Sequence, residues 1–214
     1  MIQLNIGCGS TITKGRKNYD NSPSIWLSSY MFLVKILITF KFLNKSQIEY
    51  IKFCSQNNVL FCDAIKRIPE KENSVSTVYC SHMLEHFDLD EAKSFLNEVS
   101  RVLKNGGALR IAVPDLKKQI NQYLQKNDAD YFMKHSLLCV PRPKSFSEKI
   151  RYLIFGNRNH LWMYDETSLI NLLKENGFIN CKSYLPGETS IQNPGELNLY
   201  ERDHESLYVE ANKP

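Results

Sequence analysis

Three observations predict an α/β fold, a doubly wound and mostly parallel sheet of seven strands with an antiparallel final strand. The chain opens on a short apolar run, residues 1–6, which reads as a buried strand and breaks at once into Gly7-Cys8-Gly9. Downstream, strand-like runs at 58–62, 75–81 and 108–113 alternate with stretches of helical periodicity, the pattern of parallel strands joined by crossover helices. The last two runs, 178–184 and 206–211, are separated by a loop carrying Pro186, Gly187, Pro194 and Gly195, which suits antiparallel neighbours. At 214 residues the chain can bury one substantial core, so 1–214 reads as a single domain.

In the opening stretch, two glycines one residue apart let the backbone turn sharply and leave room for a ligand to lie against the main chain. Glycine also ends strands for conformational reasons alone, so the pair gains meaning only from the residues downstream of it. The dinucleotide fingerprint requires a third glycine, where Ile12 stands, and an acid about 20 residues further on. Asp20 comes earlier, in Asn18-Tyr19-Asp20-Asn21, which argues against a nicotinamide enzyme. At a strand end beside the turn, its carboxylate suits the two vicinal hydroxyls of a ribose. Only ten residues separate Gly9 from Asp20, fewer than a helical crossover needs, so the first crossover helix is expected to be nearly absent. Residues 25–43 are the most apolar stretch and read as a helix standing in for it, opening a helical insertion over 25–57.

Asp63 ends the next strand, followed by Ala64; an acid there also caps helices and turns. Asp88-Leu89-Asp90-Glu91 has capping-box spacing. Leu89, Ala92, Phe95, Leu96, Val99, Val102 and Leu103 then recur at helical spacing until Gly106-Gly107, read as the stop. Residues 116–124 read as a further helix. Over 137–164 no period is sustained; the length marks a substrate lid, and Phe146, Tyr152, Phe155 and Trp162 favour an ordered one. Asp165 caps a short helix with Leu169, Leu172 and Leu173 inward and Gly177 as its stop.

Six cysteines form no C-x-x-C pair and several lie in apolar runs. They read as small hydrophobes in a reducing compartment, with neither disulfides nor a cysteine zinc site expected. A net charge of +4 without an arginine-rich run gives no indication of a nucleic-acid partner. No cleavable leader is evident, so the cytoplasm is the expected location, with peripheral contact at the inner face of the membrane as a variant. That variant rests on 25–43: Lys35 at its middle opposes spanning, whereas Trp26, Tyr30, Lys35, Lys41 and Lys45 suit an interfacial helix. The same stretch also reads as a segment buried under the lid or as a homodimer interface.

Leu4-Asn5-Ile6-Gly7-Cys8-Gly9, then Asp20, then Leu60-Phe61-Cys62-Asp63-Ala64 stand in a definite order. Tyr79-Cys80-Ser81-His82-Met83-Leu84-Glu85-His86 comes next, and then Leu103-Lys104-Asn105-Gly106-Gly107 with a strand behind it. In that order they resemble the motifs of the class I S-adenosylmethionine-dependent methyltransferases, over most of the chain. The resemblance implies a Rossmann-like methyltransferase fold and S-adenosyl-L-methionine as cofactor. It implies a cofactor site of Asn5, Gly7, Cys8, Gly9, Asp20 on the ribose, Asp63 and Ala64 on the adenine side, and Ser81. Compact members with this histidine-rich fourth motif and a pattern like His160-Leu161-Trp162-Met163-Tyr164-Asp165 look like those of glycan assembly. The implied acceptor is therefore a small molecule, a sugar of surface-polysaccharide or lipid-linked glycan assembly, with a quinone or lipid head group as the alternative.

Methyl transfer from a sulfonium is an in-line displacement on an activated carbon, so the protein has chiefly to align the reactants and exclude water. A hydroxyl acceptor also needs a base, and imidazole suits that role near neutral pH. His82, just past the fourth strand, is the first candidate; His160, from the lid side, is the second, facing it across the acceptor. Both also fit packing or pocket-lining roles, and Glu85 and His86 read as loop-orienting residues. Two readings come from other classes. One is a cofactor-binding protein without catalysis; the other is a zinc peptidase, because His82-Met83-Leu84-Glu85-His86 spells H-x-x-E-H. The peptidase needs both histidines on one helix, and Asp88 starts a new helix two residues on, so no metal is expected.

Overall fold

The computed structural model of the chain describes residues 1–139, 142–155 and 159–214. One sheet holds β1 (Ile2–Ile6), β2 (Lys17–Asp20), β3 (Val59–Phe61), β4 (Val75–Ser81), β5 (Leu103–Pro114), β6 (Ile179–Tyr184) and β7 (Ser206–Asn212). Its order is β3-β2-β1-β4-β5-β7-β6. Strands β1 to β5 pair in parallel, and β7 runs antiparallel to both its neighbours. This is the predicted sheet, with the reversed strand last in sequence. Strand order reverses between β1 and β4, so a ligand crevice is expected outside their carboxyl ends. Among the described residues the helices are α1 (Ser24–Leu27), α2 (Met31–Thr39), α3 (Lys45–Gln56), α4 (Leu89–Val102), α5 (Leu116–Lys126), α6 (Ala129–Ser136), α7 (Phe146–Phe155) and α8 (Glu166–Glu175).

Alternation along the strands gives the sheet two unlike faces. Leu4, Ile6, Val78, Cys80, Ile111 and Val209 lie in the main core, with Phe95, Leu96 and Val99 of α4 and Leu169 and Leu173 of α8 packed among them. Both helices begin at predicted caps: Asp88 and Glu91 form the capping box of α4, and Asp165 accepts from the Ser168 amide. Asn5, Thr77, Tyr79, Arg110, Tyr208 and Glu210, all buried, alternate with the core positions and carry polar groups. Over Tyr79 and Ala108 lie Ile191, Leu197 and Leu199 of the loop between β6 and β7. Arg110 Nη1 donates to Glu210 Oε1 at 2.5 Å and to the Glu188 carbonyl at 2.9 Å. Glu210 also accepts from Thr189 Oγ1 and from the amide and hydroxyl of Ser190. Burial pushes the Glu210 carboxyl up, but these bonds outweigh it and hold the group below the usual carboxylate range.

The crossover from β1 to β2, residues 7–16, contains no helix, as its length predicts. Asn5 Nδ2 donates to the Thr11 carbonyl and to Asn18 Oδ1, both at 3.0 Å. Asn18 Oδ1 accepts from the Thr13 amide at 2.8 Å, and its Nδ2 donates to the carbonyls of Thr13 and Arg16. Backbone groups that a helix would satisfy internally are here satisfied by two side-chain amides.

Three expectations need correction. Residues 25–43 are not one helix: the chain bends at Ser28, whose hydroxyl donates to the Ile25 carbonyl, and α2 starts afresh at Met31. Side-chain hydroxyls that bond local carbonyls compete with helix continuation. The long amphipathic helix α4 ends at Val102, before Gly106-Gly107. Val75 pairs with Leu103 and Thr77 with Ala108, so residues 104–107 bulge from the ladder, with Gly106 at φ +73° bonded to the Lys213 carbonyl. These glycines serve a bulge and not a helix stop. Lastly, 137–164 contains the helix α7, although no sustained period is legible there. Residues 140–141 and 156–158 of that expected lid, and the side chain of Phe155, lie outside the described residues.

Replacing Arg110 by Ala leaves Glu210 a buried carboxylate without its cation and is expected to cost about 3–5 kcal/mol of stability in urea unfolding. The double change Arg110→Met with Glu210→Leu is expected to cost less than Arg110→Ala alone.

Candidate active site

Gly7 has φ +70°, and a Cβ on it would lie 2.6 Å from Met83 Sδ, so backbone and packing both demand glycine. Gly9 has φ +49°, and a Cβ there would meet nothing within 4 Å, the open approach that a ligand lying on the turn requires. The amides of Gly7 and Cys8 both donate to the Tyr19 carbonyl, which locks the turn to β2. Asp20 Oδ2 accepts from the Gly9 amide at 3.0 Å and Oδ1 from the Ser22 amide at 2.9 Å. Each oxygen retains acceptor capacity, as a ribose diol would use.

The other expected cofactor residues divide into those at the crevice and those behind it. Asp63 follows β3, whose end the Cys62 amide ties to the Asp20 carbonyl. Its carboxylate is 2.9 Å from exposed Lys66 Nζ, and its carbonyl accepts from the Lys66 and Arg67 amides, so it also opens a turn. Ser81 ends β4 with a buried hydroxyl that has no hydrogen-bond partner among the described residues, a group that a ligand in the crevice would satisfy. Asn5 is buried beneath the turn, its amide hydrogens given to the loop, and Ala64 is in the core. Cys8 packs with Ile25, Tyr50 and Cys54. Burial, with Asp20 adding to it, pushes the Cys8 thiol up to about 12, so it is neutral and serves as packing.

His82 leaves β4 with φ +49°, an uncommon conformation for a non-glycine residue, while its amide donates to the Ala112 carbonyl. Its ring is flanked on both sides: Nε2 is 2.9 Å from Ser206 Oγ and Nδ1 3.5 Å from Glu85 Oε1. Glu85 lies in the 3-10 turn Leu84–His86 and is 1% exposed, with no conventional hydrogen bond to either carboxylate oxygen among the described residues. His86 Nε2 stands 4.0 Å and His160 Nε2 3.8 Å from the same Oε1. His86 Nδ1 is 3.0 Å from the Asn159 carbonyl, an acceptor that assigns the proton to Nδ1 and leaves Nε2 to accept. The Leu161 and Trp162 amides donate to the Glu85 carbonyl, which docks the lid-side segment on the turn after β4. His82 and His160 thus share one buried carboxylate.

Glu85, His86 and His160 present ligand atoms within 4.8 Å of one another. The 3.8 and 4.0 Å separations from Glu85 Oε1 exceed the roughly 3.4 Å that tetrahedral zinc imposes on its ligands. The H-x-x-E-H sequence does not form the helix of a peptidase either, since His82 directly follows a strand and only the three-residue turn Leu84–His86 comes after it. Reading the sequence misses Ser206, which β5–β7 pairing brings to His82 from 124 positions away. The three-residue spacing of His82 and Glu85 was the one signal available for the carboxylate.

Residues 38–111 match the family described as a methyltransferase domain, a stretch that starts after the glycine turn and reaches into β5. No curated protein matches the chain by sequence. Among solved structures, a chain of the complex between a methyltransferase activator and a methyltransferase of Haloferax volcanii is 14% identical with a TM-score of 0.52; the alignment covers 100% of this chain and 82% of that one. A SAM-dependent methyltransferase of Thermotoga maritima is 15% identical with a TM-score of 0.52, over 100% of this chain and 82% of its own. One of Methanosarcina mazei is 15% identical with a TM-score of 0.52, over 99% and 91%. At such identities the likeness is one of fold, and that fold is the seven-stranded sheet with its reversed last strand.

Asp20→Ala removes the acceptor of the Gly9 and Ser22 amides together with the ribose acceptor. It is expected to weaken S-adenosylmethionine binding by about 2 kcal/mol in calorimetry, and unchanged affinity would place the ribose elsewhere. A second expectation concerns pH. Burial holds the His160 imidazole below its ordinary 6.5, against the opposing pull of Glu85. Below that value the unfolded chain takes a proton that the folded chain refuses, so this contribution is fully present above the unfolded pKa and is lost as pH falls through it. The urea midpoint should fall between about pH 7.5 and about pH 5.5, and fall less in His160→Asn.

Proposed function

We propose that this protein is a class I S-adenosylmethionine-dependent methyltransferase that methylates a hydroxyl of a small molecule, a sugar in surface-polysaccharide or lipid-linked glycan assembly. The observation that carries the reading is the buried Glu85 carboxylate with His82, His86 and His160 around it, beside the end of β4. Gly9, Asp20 and Ser81 fit the cofactor by the open approach at the turn, the carboxylate and the unpartnered hydroxyl. When bound, S-adenosylmethionine supplies an activated methyl carbon. The chain's own residues align the acceptor, keep water out and remove one proton.

The His82 side chain is largely buried, and its Nε2 already faces the Ser206 hydroxyl. In the proposed step the Ser206 hydroxyl, which here donates to the Glu201 carbonyl at 2.9 Å, turns to His82 Nε2, gives its proton to that nitrogen and takes the acceptor's. Glu85 beside Nδ1 stabilises the imidazolium that results, as a carboxylate orients and supports imidazole elsewhere. His160 and the exposed rings of Tyr152 and Trp162 stand on the lid side, where aromatic faces suit the apolar face of a sugar. A location at the cytoplasmic side would give access to such acceptors.

Turnover of His82→Ala is expected to fall by roughly 10²–10⁴-fold with cofactor affinity kept, and Ser206→Ala to fall in the same direction by less. An acceptor screen against nucleotide sugars, lipid-linked sugars, phenols and RNA tests the substrate class. Methylation of phenols or RNA alone would refute the sugar reading, and His82→Ala with full turnover would refute the base.

A further inference from the structure

We infer that α1 and α2 form a docking element that lies in the surface of an anionic lipid membrane, beside the cofactor crevice. Helix α2, Met-Phe-Leu-Val-Lys-Ile-Leu-Ile-Thr, buries only Val34. Phe32 and Ile36 stand two residues to either side of Val34, hence about 160° away around the helix and pointing outward. Phe32 is 75% exposed, and Phe40, one further turn along this outward stripe, is 67% exposed. Met31, Leu33 and Ile38 are exposed as well, as are Trp26 and Tyr30 just before. Apart from Lys35 and Thr39 the helix is apolar around its circumference, more than one packed side requires, and this fold covers one side only.

Charge decides among the occupants. From Asn21 to Ile48 the chain has no Asp or Glu, whereas Lys35, Lys41 and Lys45 are all exposed. Lys45 lies 3.9 Å from Glu49, and no ion pair involves Lys35 or Lys41 among the described residues. A second copy docked about a two-fold axis would bring these lysines towards their own counterparts with no acid in the segment to meet them. An anionic lipid surface accepts both the exposed rings and the lysines. Nine residues of helix span about 13.5 Å, and no helix among the described residues is long and apolar enough to cross a membrane, so the element lies in the plane. Trp26 packs on Phe61 with ring centroids 4.1 Å apart, and Phe61 is two residues from Asp63. Docking therefore sets the crevice near the lipid surface.

The test is flotation of the whole protein with vesicles of phosphatidylcholine alone or with phosphatidylglycerol, at low and high salt, and needs no methyl transfer. The wild type is expected to float with the anionic vesicles at low salt and to be released by high salt. Phe32→Ser with Ile36→Ser, checked for native circular dichroism, is expected to bind at least about tenfold more weakly, because Phe32 is 75% and Ile36 38% exposed on the outward side of the helix. Lys35→Gln with Lys41→Gln is expected to weaken anionic binding on the order of 25-fold, about fivefold per lysine. Wild type that stays at the bottom at low salt overturns the inference, as does unchanged flotation of the Phe32/Ile36 variant. A dimer by light scattering that this variant converts to monomer, without lipid binding, would give the surface to a second copy and overturn it equally.

Discussion

Much of this molecule depends on the ten residues, 7–16, that join two parallel strands without a helix. A crossover of that length satisfies its own backbone only in part, by the Thr11-to-Cys8 and Arg16-to-Thr13 turn bonds, and here Asn5 and Asn18, on adjacent parallel strands, hydrogen-bond to it from below. The same loop begins with the glycine turn and lies between that turn and Asp20, so the hydrogen bonds that replace the helix also set the height of Gly9 against the carboxylate. The placement of the glycine turn against Asp20 and the stability of the fold therefore share one set of contacts. This is why Asn5 is better understood as a support of the turn than as part of its ligand-facing surface.

Without that helix, part of the second sheet face has to be covered by other means. The long loop between β6 and β7 covers the positions of Tyr79 and Ala108, and loops bring polar backbone with them. Buried polar side chains on that face, Arg110 and Glu210 above all, give this backbone partners. An ion pair in such a place adds little net stability against an apolar pair of equal volume, but it is intolerant of losing one member. The helical residues moved elsewhere, into the insertion between β2 and β3. Only α1 and α3 of that insertion gain close packing near β3, and α2 is left with its outward stripe bare.

At the opposite wall of the crevice, a single buried carboxylate organises three histidines. Glu85 also ties the turn after β4 to residues 161 and 162 through its main chain, since its carbonyl receives the Leu161 and Trp162 amides. The segment after residue 159 and the ring of His82 therefore meet the same residue.

Local signals in the sequence determined the strands that end in glycine or acid, the missing first crossover, the capped helices at Asp88 and Asp165 and the reversed last strand. Each of these depends on interactions within a few residues or on simple alternation, which a linear chain displays. The place where α4 stops was decided by tertiary structure, whereas the break inside 25–43 goes with a local hydroxyl bond that apolar patterning does not display, and the helix within 137–164 has no legible period. A bulge needs its partner strand, a local hydroxyl bond competes with helix continuation, and a short helix takes its stability from packing more than from its own period. The site shows the same division: Gly7, Gly9, Asp20 and Ser81 are legible as strand ends, whereas Ser206 meets His82 only because β5 and β7 pair, and His160 meets Glu85 only because the segment after residue 159 docks on the turn after β4. Exposure of α2 is likewise a tertiary fact, since an apolar stretch reads the same whether it will be buried or bare.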